Sequence, residues 1–218
     1  MEVLKECDLA KIAVSLFEGK TIVFPTETSY GLGCDATNQE AVDKIFSIKD
    51  RADDKPLLIV VPSVEMAKKY LVWNNTIEKL AKAYWPGALT IIGKYNAPPA
   101  PLYRGESTIP PKKEGGEVLA SGVVSKNNTV AVRVSKHDLV KFLSESLGKP
   151  LVATSANISG AGEVYSGRAA KIMFAEKEYQ PDIILDYGEL EHRPPTTLVD
   201  ASSDTINIIR QGQVEINI

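Results

Sequence analysis

Lys49, Arg51 and Lys55 put three cations into the eight residues KDRADDKP, directly ahead of the apolar run LLIVV. Arginine offers a planar fork that matches phosphate oxygens, and lysine offers a mobile point charge. Together they suit a triphosphate. In an extended segment residues i and i+2 point to one face, so Lys49 and Arg51 are expected to reach one ligand together. The same stretch holds Asp50, Asp53 and Asp54. A solvated turn, in which those acids neutralise the cations, is the plainer explanation of the same residues. Spacing alone leaves both readings open.

Three further clusters sit where strands should end. Thr154-Ser155-Ala156-Asn157-Ile158-Ser159-Gly160 follows the apolar stretch PLVA. Its hydroxyls and amide suit a polar ligand in an α/β crevice, or simply a capped turn. Pro25-Thr26-Glu27-Thr28-Ser29-Tyr30-Gly31 follows TIVF, and Pro195-Thr196-Thr197 pairs with Arg210-Gln211-Gly212. Arg133 closes the strand-like TVAVR. It can meet a carboxylate ligand, or form a surface ion pair worth about 0–1 kcal/mol. Strand ends are where open α/β sheets bind ligands.

Other chemistries lack their residues. His137 and His192 are the only histidines, and no H-E-x-x-H or C-x-x-C spacing occurs, which argues against zinc. There is no G-x-S-x-G elbow. Gly87 to Gly93-Lys94 has the wrong spacing for a P-loop, and Tyr95 stands where Ser or Thr belongs. Gly31-Leu32-Gly33-Cys34-Asp35-Ala36 fits G-x-G-x-x-A, but the preceding strand ends too early for a dinucleotide turn.

The elements that must position these groups follow from periodicity. Helices are predicted near 8–18, 37–48, 63–71, 76–84, 138–147 and 167–176. Asp8 is the expected N-cap of the first, and Thr37-x-x-Glu40 the expected capping box of the second. Strands are predicted at 21–25, 56–62, 88–95, 129–134 and 150–155, with three more in DIILDY, TTLVDAS and TINIIRQG. TETSYGLGCDA reads as a polar loop. The proline- and glycine-rich stretch 96–128 reads as a flexible flap. Alternating strands and helices with a strand-rich end indicate one α/β domain over residues 1–218 with a mixed sheet.

Composition agrees with a folded domain, at 44% apolar and 24% charged residues. A net charge of −3 argues against a bulk polyanion binder, although a local basic cleft remains compatible with it. Two cysteines, Cys7 and Cys34, make no disulfide framework. No signal-peptide core or membrane span is evident, so a soluble, cytoplasmic protein is expected.

Seven runs, PTETSYGLG, IKDRADDKPL, WPGALTI, TVAVRV, TSANISG, PTTLVD and IIRQG, occur here in one order. In that order they resemble the YrdC family of threonylcarbamoyl-AMP synthases, over roughly residues 8–212. The resemblance implies an α/β, YrdC-like twisted mixed sheet flanked by helices around a deep electropositive cavity. It implies conversion of L-threonine, bicarbonate and ATP to threonylcarbamoyl-AMP, pyrophosphate and water, with Mg²⁺ on the triphosphate. The product serves N6-threonylcarbamoyladenosine modification of tRNA, so tRNA and a downstream transferase are implied partners. Lys49, Arg51 and Lys55 are implied to hold phosphates, Lys49 and Arg51 catalytically. Ser155, Asn157, Thr129 and Arg210 are implied to bind the nucleotide, and Thr28, Arg133 and Thr196 to line the threonine pocket. No metal ligand from a protein side chain is implied. The chain departs from the family at TTLVD, where Ser-Thr-Val is common, and in the length of 96–128. The single-domain form, without the extra C-terminal domain of larger relatives, is expected. The same fold can instead serve an RNA-binding module or a paralogue of drifted activity. Intact Lys49-x-Arg51 and Ser155-x-Asn157 favour the nucleotide enzyme.

Overall fold

A computed structural model describes residues 1–5, 8–51, 55–98 and 117–217. Its strands form two mixed sheets rather than one. The first sheet comprises β1 (Glu2–Leu4), β9 (Ile183–Leu185), β2 (Ile22–Pro25), β3 (Tyr30–Gly33) and β8 (Thr154–Ser155), in that order. The second runs β11 (Asn207–Arg210), β10 (Thr197–Asp200), β5 (Leu89–Lys94), β6 (Thr129–Val134), β4 (Ile59–Val61), β7 (Leu151–Val152). Each contains parallel and antiparallel pairs. Among the described residues there are six helices: α1 (Leu9–Phe17), α2 (Gln39–Lys49), α3 (Val64–Tyr70), α4 (Asn75–Tyr84), α5 (Asp138–Leu147) and α6 (Gly167–Phe174).

Strand alternation divides the core. Ile22 and Phe24 of β2 join Ile12 and Leu16 of α1 and Leu143 and Leu147 of α5. Val23, between them, points into the larger cluster with Leu32, Ile45, Ile91 and Val132. Successive side chains of one strand therefore serve two cores. No helix among the described residues is long and apolar enough to cross a membrane.

Four further sequence expectations change. β3 lies inside the stretch read as a loop, and all four of its residues are buried. Its two glycines hide its strand character. Gly33 is required by close approach, since a Cβ there would sit 2.0 Å from the Val152 carbonyl oxygen. Gly33→Ala is expected to cost about 3 kcal/mol through overpacking. Thermal unfolding checks this, and an unchanged midpoint would contradict it. The stretch 150–155 is two strands, because β7 pairs in the second sheet and β8 in the first. Helix α2 is capped by Asn38, whose Oδ1 accepts from the Ala41 N–H at 3.1 Å, not by Thr37. Thr37 turns its hydroxyl to Asp35 instead. Finally, residues 117–128 are packed rather than flap-like. Leu119, Ala120 and Val123 are buried, and the Gly122 carbonyl accepts from Leu57 N–H. The rest of that stretch, from 99 to 116, lies outside the described residues.

Candidate active site

A cavity of about 650 Å³ opens between the two sheets. That volume falls in the usual range for a small-molecule site. One wall is the turn joining β2 to β3, together with β8. The other is built by β6, β10 and β11. Alternation sets the lining. On β6, Thr129, Ala131 and Arg133 face the cavity, while Val130, Val132 and Val134 enter the core. On β10, Leu198 faces the cavity and Val199 is buried behind it.

Eight of the ten residues singled out from sequence line this one cavity: Thr28, Arg51, Lys55, Thr129, Arg133, Ser155, Thr196 and Arg210. The basic side chains are Arg51, Lys55, Arg133 and Arg210, against a single lining carboxylate among the described residues, Glu163. Thr26, Tyr30, Ser125 and Glu163 also line it and carry no individual motif signal.

Lys49 and Asn157 stand behind the wall. Lys49 is 2% exposed. Its Nζ donates to the Ser155 carbonyl at 2.5 Å, the Asn157 carbonyl at 2.8 Å and Asn157 Oδ1 at 3.0 Å. A protonated lysine has three protons, and all are spent on this loop. Asn157 Oδ1 also accepts from Ser155 Oγ at 2.7 Å, and its Nδ2 donates to the Ala161 carbonyl. The two residues therefore shape the loop that presents Ser155.

The expected shared face of Lys49 and Arg51 thus fails, for a local reason. Lys49 is the last residue of α2, and Asp50 follows in left-handed conformation at φ 49°. The Asp50 N–H bonds to Ser47 O at 3.3 Å and the Arg51 N–H to Phe46 O at 3.2 Å, a Schellman closure. This turn sends Lys49 inward and Arg51 to the cavity. Arg51 Nε donates to the Lys55 carbonyl at 2.9 Å and Nη2 to that of Pro56 at 3.2 Å, so the guanidinium also shapes its own loop. Asp53 and Asp54 lie outside the described residues.

Burial drives the Lys49 amino group down to about 7, with the neighbouring Arg51 charge adding to the effect and Glu163 opposing it. Across the cavity, Arg210 Nε and Nη2 clasp the Thr196 carbonyl at 3.1 and 2.9 Å. Thr196 Oγ1 also meets Thr90 Oγ1 at 3.1 Å. Thr129 Oγ1 meets Ser125 Oγ at 2.7 Å. Arg133 is 4% exposed and lies 3.5 Å from the Glu27 carboxylate.

Two sheets enclosing a cavity lined by four basic side chains and by hydroxyls define an α/β protein with a polar pocket of small-molecule size. The chain belongs to the Sua5/YciO/YrdC family, whose sequence pattern, described as "Telomere recombination", matches residues 15–212. A threonylcarbamoyl-AMP synthase of Vibrio vulnificus strain YJ016 is 31% identical over 209 residues, covering 94% of this chain and 98% of its own. One of Pseudoalteromonas translucida is 32% identical over 201 residues, covering 91% and 95%. Among solved structures, Pyrococcus abyssi Sua5 complexed with L-threonine superposes with a TM-score of 0.78 at 30% identity. This chain is covered to 97% and spans 57% of that longer protein.

Proposed function

We propose that the protein is an L-threonylcarbamoyladenylate synthase. The observation that carries this reading is the convergence of Thr28, Arg51, Arg133, Ser155 and Arg210, from five separate segments, on one cavity. Relatives of nearly equal length that bear the synthase name support it.

The chemistry brings anions together. Threonine's deprotonated amine attacks the carbon of bicarbonate or carbon dioxide, and a carbamate forms. A carbamate oxygen then attacks the α-phosphorus of ATP, and pyrophosphate leaves. One water is released overall. No protein nucleophile is needed. Catalysis consists of holding the reactants in line and stabilising the negative charge that develops. In this proposal Arg51 and Lys55 hold the triphosphate, which brings its own Mg²⁺. Ser155, Thr129 and Arg210 hold the rest of the nucleotide. Thr28, Arg133 and Thr196 hold threonine, with Arg133 on the carboxylate. Lys49 and Asn157 act from behind by fixing the loop under Ser155. The adenylate then passes to a transferase that acts on tRNA.

Pyrophosphate release with purified protein tests the proposal. Release is expected only when ATP, bicarbonate and L-threonine are all present. Release that ignores threonine would contradict it. Retained affinity for RNA with no turnover would favour the binding-module reading.

A further inference from the structure

We infer that Glu27 is a positioning residue, which holds Arg133 and fixes the distance between the two cavity walls at the amino-acid end of the site. The inference rests on the threonine site proposed above and adds to it a group that lines the other side of the wall. Glu27 belongs to the turn between β2 and β3, in the first sheet, whereas Arg133 belongs to β6, in the second. Glu27 Oε1 accepts from Ser135 Oγ at 2.5 Å and from the Lys136 N–H at 2.9 Å, both just beyond β6. One oxygen therefore ties the turn that carries Thr28 to the strand that carries Arg133.

The second oxygen is reserved for charge. Glu27 Oε2 is buried, has no hydrogen-bond partner among the described residues, and lies 3.5 Å from Arg133 Nη2. Arg133 Nε is likewise buried without a partner among those residues. The pair attracts without closing into a bidentate bridge, so guanidinium donor capacity is left for a ligand. Both side chains are about 5% exposed or less, so neither charge is at ease without the other. Burial alone would raise the Glu27 carboxyl, but Arg133 and then Ser135 outweigh it and hold the group below the usual carboxylate range. The carboxylate stays ionised at neutral pH.

The surroundings separate this role from substrate contact. Arg133 lines the main cavity and Glu27 does not. Glu27 lines a neighbouring hollow of about 440 Å³, with His137 and Tyr187. Thr26 and Thr28 border both spaces. The turn is thus a partition, and Glu27 grips it from the far side. Without that charge the buried guanidinium must seek other acceptors and leaves the orientation that meets a ligand carboxylate.

A mutant cycle tests this with the full-length protein, assayed by pyrophosphate release from ATP, bicarbonate and L-threonine. The set is wild type, E27Q, R133Q and E27Q/R133Q. E27Q keeps the shape of the side chain and removes its charge. It is expected to lower kcat/KM for threonine about tenfold while the KM for ATP stays within about twofold. In the R133Q background E27Q is expected to have no further effect. An unchanged threonine kcat/KM in E27Q, an equal rise in KM for ATP, or the same loss in both backgrounds would overturn the inference. Thermal unfolding supplies a second readout that does not need turnover. The midpoint should fall in E27Q and recover in E27Q/R133Q, because the double variant leaves no unpaired buried charge. Failure to recover would overturn the pairing even if E27Q were too unstable to assay. A wild type without threonine-dependent turnover, whose variants still show that recovery, would instead count against the synthase reading alone.

Discussion

Lys49→Met is expected to lose both stability and turnover, although Lys49 does not line the cavity. Methionine approximates the lysine stem but donates nothing to the Ser155 carbonyl, the Asn157 carbonyl or Asn157 Oδ1. A buried polar group left without its partner costs about 1–3 kcal/mol, and removing the buried charge returns part of that. A net loss of about 2–4 kcal/mol is expected. The loop under Ser155 then relaxes, and misplacement of a binding group by about an ångström can cost about 100-fold in rate. Thermal unfolding and pyrophosphate release measure the two effects. Stability retained with turnover lost would place Lys49 in direct contact with substrate instead.

The same variant has a pH signature. The Lys49 amino group titrates near 7 in the folded protein and at an ordinary 10.5 when unfolded. Between those values the unfolded chain binds more protons than the folded one. Stability conferred by this group is therefore complete above the unfolded value and is lost as pH falls toward 7. The deficit of Lys49→Met relative to wild type should widen from pH 7 to pH 9, by up to about 1.4 kcal/mol per unit. Below pH 7 it should be flat. A deficit that narrows across that window would contradict the burial of the charge.

Arg51→Ala is expected to separate activity from folding. Arg51 lines the cavity and donates to the nearby Lys55 and Pro56 carbonyls. Its loss should cost stability about 1 kcal/mol. Turnover should fall about 100- to 1,000-fold, the range for removing a preorganised donor from a developing anion. The KM for ATP should rise as well. Steady-state kinetics beside a thermal melt decide the matter. Unimpaired ATP turnover would remove Arg51 from the phosphate site.

The cavity itself was largely legible in the sequence, because its polar clusters each border an apolar strand-like run. Arg51, Ser155, Arg133 and Arg210 could be assigned to one site before any coordinates, although only the ordered set of motifs chose between a ligand and a wet turn. What stayed hidden depended on single backbone conformations. Asp50 enters the left-handed region without glycine's signature, and that one turn separates Lys49 from Arg51. The switch of sheets within LVATS turns on Ala153, which no periodicity marks. β3 carries glycine at alternate positions because Gly33 packs against backbone, and glycine reads as loop. Glu27 carries no signal of its own within its hydroxyl-rich run, since its partner Arg133 is distant in sequence. The packing of 117–128 rests on Leu119, Ala120 and Val123, a short apolar group that follows the proline-rich part of the same stretch.

The most direct measurement of the central claim uses carbon-13 bicarbonate with ATP and L-threonine, followed by mass spectrometry of AMP-linked products. Threonylcarbamoyl-AMP carrying one labelled carbon is expected, with equimolar pyrophosphate. An unlabelled threonyl adenylate, or no AMP-linked product at all, would contradict the assignment of this cavity to carbamoyl-adenylate synthesis.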